Sequence, residues 1–211
     1  MKKLFNHDSN IIQILILLMN LMILNVLWIL CSIPIVTAGA ATTAVYYTMY
    51  QYATDGSEAV LKPFFTTFAK EFKRSTIVWL ILLAIGIVLW IDARYLMAYP
   101  QLKALWIPLG VLVALYTVAL SHVFAILGRF DTNIKTALKS CYLVALMNFW
   151  RTLPVLALTV APILIFVFMP YQVLNTLPFW VGLAFSLIFY LNARLFLKSF
   201  DHIAPKETAE K

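Results

Sequence analysis

Four long stretches of the chain carry no charge: residues 11–31, 75–91, 104–128 and 152–193. A helix needs roughly 20 apolar residues to cross a bilayer, so each of the first three predicts one spanning helix. The fourth is long enough for two, divided at "MPYQVLNTLP", where Pro170 and Pro178 bracket a short polar turn. The pattern breaks at "CSIPIVTAGAATTAVYYTMYQY", residues 31–52, which follows an apolar run yet is small and polar. As a signal-peptide cleavage region it follows too long an apolar core, since such cores run to about 7–15 residues. Ile29 and Leu30 before Cys31 do not suit a lipoprotein signal. A loop or a sixth crossing remain.

Charge separates those two. If residues 35–52 cross, the chain has six spans with both termini on one side, and all but Arg94 and Lys103 of the 16 Lys and Arg lie on that side. The excess of basic residues in cytoplasmic loops then puts both termini in the cytoplasm. A loop would instead force Lys2 and Lys3 outward or invert everything after them. The small residues Ala38, Gly39, Ala40, Thr43 and Ala44 suit a helix that lets neighbouring backbones approach closely. Pro34 fits a first helical position and Gly56 a C-terminal stop. Aromatic residues fall in two expected belts: Trp28, Trp90, Tyr95, Tyr99, Trp106, Tyr171 and Trp180 outside, and Tyr50, Tyr52, Trp79, Phe149 and Trp150 inside.

Composition gives the same class. Of 211 residues, 63% are hydrophobic and 12% charged, against about 25% charged in soluble domains. The expected fold is all-α: a polytopic membrane bundle of six transmembrane helices with two cytoplasmic amphipathic helices. Residues 1–200 form one domain and 201–211 a polar cytoplasmic tail. The first amphipathic segment is "VLKPFFTTFAKEFKRS", where Phe64, Phe68 and Phe72 repeat every fourth residue beside Lys62, Lys70 and Lys73, as in a helix lying on an anionic interface. In the second, "DTNIKTALKSCYLVALMNFWRT", Asp131 or Thr132 can cap a helix whose Ile134, Leu138, Cys141, Ala145 and Phe149 share a face. Lys70, Lys73, Arg74, Lys135 and Lys139 are the candidate contacts to lipid or to a partner. Each segment reads either as a surface anchor or as a docking surface.

"LMILNVLWILCSIPIVTAGAATTAVYY", "FFTTFAKEFKRSTIVWLILL", "HVFAILGRFDTNIKTALKSCYLVALMNFWRTLPVL" and "RLFLKSFD" resemble, in order, blocks of the YesL-like family of bacterial integral membrane proteins of unknown function. The resemblance implies a bacterial inner-membrane protein whose relatives are often encoded beside systems for taking up and breaking down complex carbohydrates. It supplies no catalytic motif.

The residues supply none either. His7, His122, His202, Cys31 and Cys141 are far apart, without the spacing of a metal site. There is no Walker loop, no GxGxxG turn and no GxSxG elbow, and Asp92 alone among the carboxylates lies at the edge of a span. We therefore expect no enzyme, no cofactor and no metal. The net charge of +7 sits in short loops beside spans and reads as topology, not as nucleic-acid binding. Asn20, Asn25 and His122 fall inside spans, where polar groups either line a pathway or bond between helices. Two function classes follow. One is an accessory or regulatory component of a carbohydrate uptake or sensing system, meeting a membrane or cytoplasmic protein partner such as a carbohydrate importer through its cytoplasmic helices. The other is a small-solute transporter or permease-like subunit. "KTALKSC" and "RTLP" match an importer-permease docking loop only at Ala137, Leu153 and Pro154, and the uncharged spans favour the accessory class.

Overall fold

A computed structural model describes residues 10–56 and 59–200. Lys2, Lys3, His7, His202, Lys206, Lys211 and the tail 201–211 lie outside the described residues. Every described element is helical: α1 Asn10–Ser32, α2 Ala38–Asp55, α3 Leu61–Ala98, α4 Trp106–Arg129, α5 Ile134–Met147, α6 Phe149–Phe168, the short α7 Pro170–Asn175 and α8 Leu177–Phe179, a π-helical turn at Trp180–Ala184, and α9 Phe185–Phe200. Five of these segments are long and apolar enough to cross a membrane, namely Ile12–Ser32, Leu61–Ala98, Gln101–Arg129, Phe149–Phe168 and Leu177–Phe200. Large apolar side chains such as Ile107, Trp90, Val88 and Phe168 are exposed. That surface fits lipid rather than water.

The chain reverses between α1 and α2 for local reasons. Pro34 biases Ile33 away from the helical region and itself adopts an extended conformation. Thr37 then turns its hydroxyl back to the carbonyls of Cys31 and Pro34, at 2.5 and 2.8 Å, satisfying groups left open at the end of α1. A short 3-10 turn at Ile35–Thr37 leads into α2, which ends at Gly56 with φ +62°, a left-handed position that glycine adopts without strain.

Helix α2 is the centre of the bundle. Ala40, Ala41, Ala44, Val45, Met49 and Tyr50 are buried, and α2 packs on α1, α3, α4 and α9. Two glycines set its spacing. A Cβ on Gly39 would lie 2.6 Å from the Trp79 Cβ and 2.7 Å from the Ser75 carbonyl oxygen. A Cβ on Gly128 of α4 would lie 3.0 Å from the Thr43 carbonyl oxygen and 3.2 Å from the Tyr47 nitrogen. Hydrogen bonds tie the same seams: the Thr43 and Ser75 hydroxyls are 2.9 Å apart, and the Tyr50 hydroxyl donates to the Ala125 carbonyl at 3.2 Å. Close backbone approach through small residues is how helices associate where water supplies no hydrophobic drive.

The structure departs from the sequence expectation in several places. Residues 61–74 are not a separate helix on the membrane surface but the first turns of α3, whose 38 residues span about 57 Å at 1.5 Å per residue. Phe64 and Thr67 are buried, and the α2–α3 packing that holds them outweighs the interfacial pattern of the phenylalanines. Helix α2, the expected sixth crossing, has 18 residues but is too polar to count among the segments apolar enough to span; its small and polar side chains pack against protein instead. The two aromatic belts also meet: Trp28, expected outside, donates to Thr42 at 3.0 Å, while Trp79, expected inside, donates to the Ile35 carbonyl at 2.6 Å. The α1–α2 turn therefore lies against the middle of α3. Finally, Phe149 leaves the α5 face because the chain breaks at Asn148 (φ −119°, ψ 46°) and starts α6; Phe149 is exposed, while Cys141 and Ala145 stay buried.

Overpacking a close contact costs about 1–3 kcal/mol. Gly39→Leu should lower the melting temperature of the detergent-solubilised protein clearly. Gly110→Ala, where nothing lies within 4 Å, should leave it unchanged. Equal melting of the two variants would show that α2 does not approach α3 as described.

Candidate functional site

Three parts of the chain converge at the end of the bundle where α4 gives way to α5. Lys70, Lys73 and Arg74 come from α3, Asp131 and Asn133 from the α4–α5 connection, and Lys135 from the first turn of α5. Together they line a cleft of about 780 Å3. The antiparallel pairing of α3 and α4 brings residues nearly sixty positions apart into contact, and Arg74 fastens them. Its Nε donates to the Glu71 carboxylate at 2.7 Å, and its Nη1 donates to Asp131 at 2.9 Å and to the Thr132 carbonyl at 2.7 Å. Lys70 adds a 3.4 Å contact to Asp131. Asp131 thus clasps α3 instead of capping α5, whose N-cap residue is Asn133 and makes no side-chain cap bond.

The charges in the cleft are unequally matched. Glu71 is almost fully buried and directed at Arg74. The Arg74 guanidinium and the Lys70 ammonium hold the Asp131 carboxyl below its usual range, so this clasp is present above the ordinary carboxylate pKa and is lost as pH falls through the lowered one. The Lys70–Asp131 pair is exposed on both sides, and water screens such pairs so that they add little to stability. Among the described residues Lys73 and Lys135 have no acidic partner. The first residues of α5, Ile134 to Thr136, also line the cleft, at the end of the helix where its dipole is positive. The arrangement can hold an anion. Lys139, one turn further along α5, is exposed but does not line the cleft.

The intramembrane candidates have separate surroundings. Asn25 is fully buried, and its carboxamide enters the widened turn at Trp180–Ala184. It donates to the carbonyls of Trp180 and Val181 at 3.0 and 2.5 Å and accepts the Ser186 N–H at 2.9 Å. A π turn interrupts the regular ladder, and Asn25 satisfies the groups so freed. His122 is also buried, but its Nδ1 contacts stay within α4, at 2.8 Å from the Ser121 hydroxyl and 3.1 Å from the Val118 carbonyl, with the ring edge-on to Phe196. Asn20 is buried, and among the described residues its Nδ2 has no hydrogen-bond partner. The three do not form one site. Among the described residues no three His, Cys, Asp or Glu side chains gather as metal ligands. Sequence reasoning missed the clasp formed by Glu71 and Asp131. Its one available signal was a pair of carboxylates inside two otherwise basic segments.

Residues 21–93 match the model of a family described as "Protein of unknown function, DUF624". The chain is 29% identical over 199 residues to the uncharacterized protein YesL of Bacillus subtilis (strain 168), covering 92% of this chain and 90% of the relative. It is 28% identical over 178 residues to the uncharacterized protein YteU of the same organism, covering 81% and 76%. No solved structure matches. The matches agree with the YesL-like resemblance carried by the sequence blocks.

Removing one partner of a buried ion pair costs about 3–5 kcal/mol. Arg74 keeps a fifth of its side chain in water and has Asp131 as a second partner, so Glu71→Gln should cost about 1–3 kcal/mol. Asp131→Asn, at an exposed position, should destabilise less. Chemical unfolding in detergent orders the two variants; the reverse order would contradict the clasp geometry.

Proposed function

We propose that this chain is a non-enzymatic accessory or regulatory membrane protein that meets a protein partner at its basic end, within a carbohydrate uptake or sensing system. The observation that supports a docking role is the outward edge of α5. Lys135 and Lys139 are exposed, and the same stripe continues through Leu143, Leu146 and, across the break, Trp150, which is 82% exposed. A stripe that begins basic and turns apolar suits a partner helix meeting the chain at the membrane surface. The carbohydrate context rests on the family resemblance alone and is an analogy.

The proposal includes orientation. With the basic end in the cytoplasm, in keeping with the positive-inside bias, a cysteine introduced at Asn133 should resist a membrane-impermeant reagent in intact cells, and one at Asn175 should react, after Cys31 and Cys141 are replaced. Labelling at Asn133 from outside would reverse the orientation.

The docking role is tested by copurification after mild detergent extraction. Lys135→Glu combined with Lys139→Glu should reduce recovery of a carbohydrate importer or sensor with the protein while leaving membrane insertion intact. Undiminished recovery would exclude this edge. Solute flux by the purified protein alone in liposomes, abolished by His122→Ala and indifferent to the lysines, would replace the accessory reading with a transporter.

A further inference from the structure

The basic cleft does not end at its charged rim. Ile77 and Ile134 form its inner wall, and from there an apolar groove of about 620 Å3 runs between α3, α4 and α5, beginning at Val78 and Ile134 and reaching Leu89 and Asp92. Ile134 lines both cavities, and Ile77 and Val78 are adjacent, so cleft and groove adjoin. Along α3 the groove covers roughly 21 Å at 1.5 Å per residue, more than the roughly 15 Å of one hydrocarbon leaflet. The cleft opens where the uncharged run of α3 begins, just after Arg74. Its cations outnumber its carboxylates, and both carboxylates are already engaged by Arg74.

We propose that cleft and groove together are a binding site for a single anionic phospholipid, with the headgroup phosphate among Lys70, Lys73 and Lys135 and one acyl chain lying in the groove. Charge and shape select this occupant. A zwitterionic lipid would bring its own cation to a site that has a surplus of them. A soluble anion would leave the groove unused, and a peptide would have to bury its backbone polar groups against a wall with few partners for them. Lys70 can exchange its weak, exposed contact with Asp131 for the phosphate, and Lys73 and Lys135 give up no acidic partner. This site goes beyond the docking role of the α5 edge and does not depend on it, because it is measured on the purified protein alone.

The test offers the detergent-solubilised protein equal amounts of phosphatidylglycerol and phosphatidylcholine with identical chains and reads retained lipid by native mass spectrometry. The wild-type protein should retain one phosphatidylglycerol in clear preference. At about one power of ten for each 1.4 kcal/mol, and roughly 1 kcal/mol for each basic residue near an anionic group, Lys70→Gln with Lys73→Gln should cut that preference at least tenfold. Lys135→Gln should cut it less, with unchanged melting in both cases. Ala84→Trp, at an exposed position in the groove, should exclude the chain and reduce phosphatidylglycerol retention while the lysines remain. Equal retention of the two lipids by the wild-type protein would overturn the proposal. So would displacement of the lipid by millimolar inorganic phosphate, or full retention by Ala84→Trp, since either would mean an anion site without chain recognition.

Discussion

The close approach of α2 to its neighbours governs the rest of the structure. At Gly39 there is no room for a methyl group between α2 and the Ser75–Trp79 turn of α3, and at Gly128 there is almost none between α4 and the backbone of α2. Inside a bilayer, burial of apolar surface does little to bring helices together, because lipid chains solvate leucine as well as another helix does. Association depends instead on dense packing and on hydrogen bonds between helices. Helix α2 provides both, through its run of alanines and glycine and through Thr43 and Tyr50.

Fixing α2 in this position determines where charge collects. Because α2 reverses the chain between α1 and α3, and α4 returns antiparallel to α3, the first turns of α3 and of α5 are brought to the same end of the bundle. Arg74, held by Glu71 on the same helix, joins α3 to the start of α5 through Asp131. The cleft is therefore a product of helix packing rather than of either basic segment. The apolar groove beside it has the same origin: α3, α4 and α5 together line it, α5 through Ile134, Leu138 and Tyr142.

Much of the fold was legible because a bilayer restricts what an uncharged run can do. The long apolar stretches became α1, α3, α4, α6 and the α9 segment, and the small residues from Ala38 to Ala44 signalled close packing, which the structure shows at Gly39 and Ala40. What composition did not carry was relative position along the helices. Trp28 and Trp79 have the same interfacial preference, and nothing in the local sequence says that one bonds Thr42 in α2 and the other the α1–α2 turn at Ile35. The phenylalanine repeat of residues 64–72 suits an interface and a buried helix face equally well, and tertiary packing took only Phe64 fully inside while Phe72 stays exposed. The convergence of Lys70, Lys73, Arg74 and Lys135 was similarly invisible, since it depends on the register of α3 against α4. Asn25 looked like a polar residue in a span; its task at Trp180–Ala184 follows from an irregular turn that the sequence does not announce.

The most direct test of the central packing claim is a disulfide across the α2–α3 seam in native membranes. With Cys31 and Cys141 replaced, Thr43→Cys and Ser75→Cys should cross-link on mild oxidation, because the native hydroxyls are 2.9 Å apart and disulfides need Cβ atoms within about 4.5 Å. The cross-linked chain should resist reduction until it is unfolded. Ser75→Cys paired with Thr117→Cys should give no bond. Absence of the 43–75 cross-link, or equal yield from both pairs, would contradict an α2 packed at the centre of the bundle.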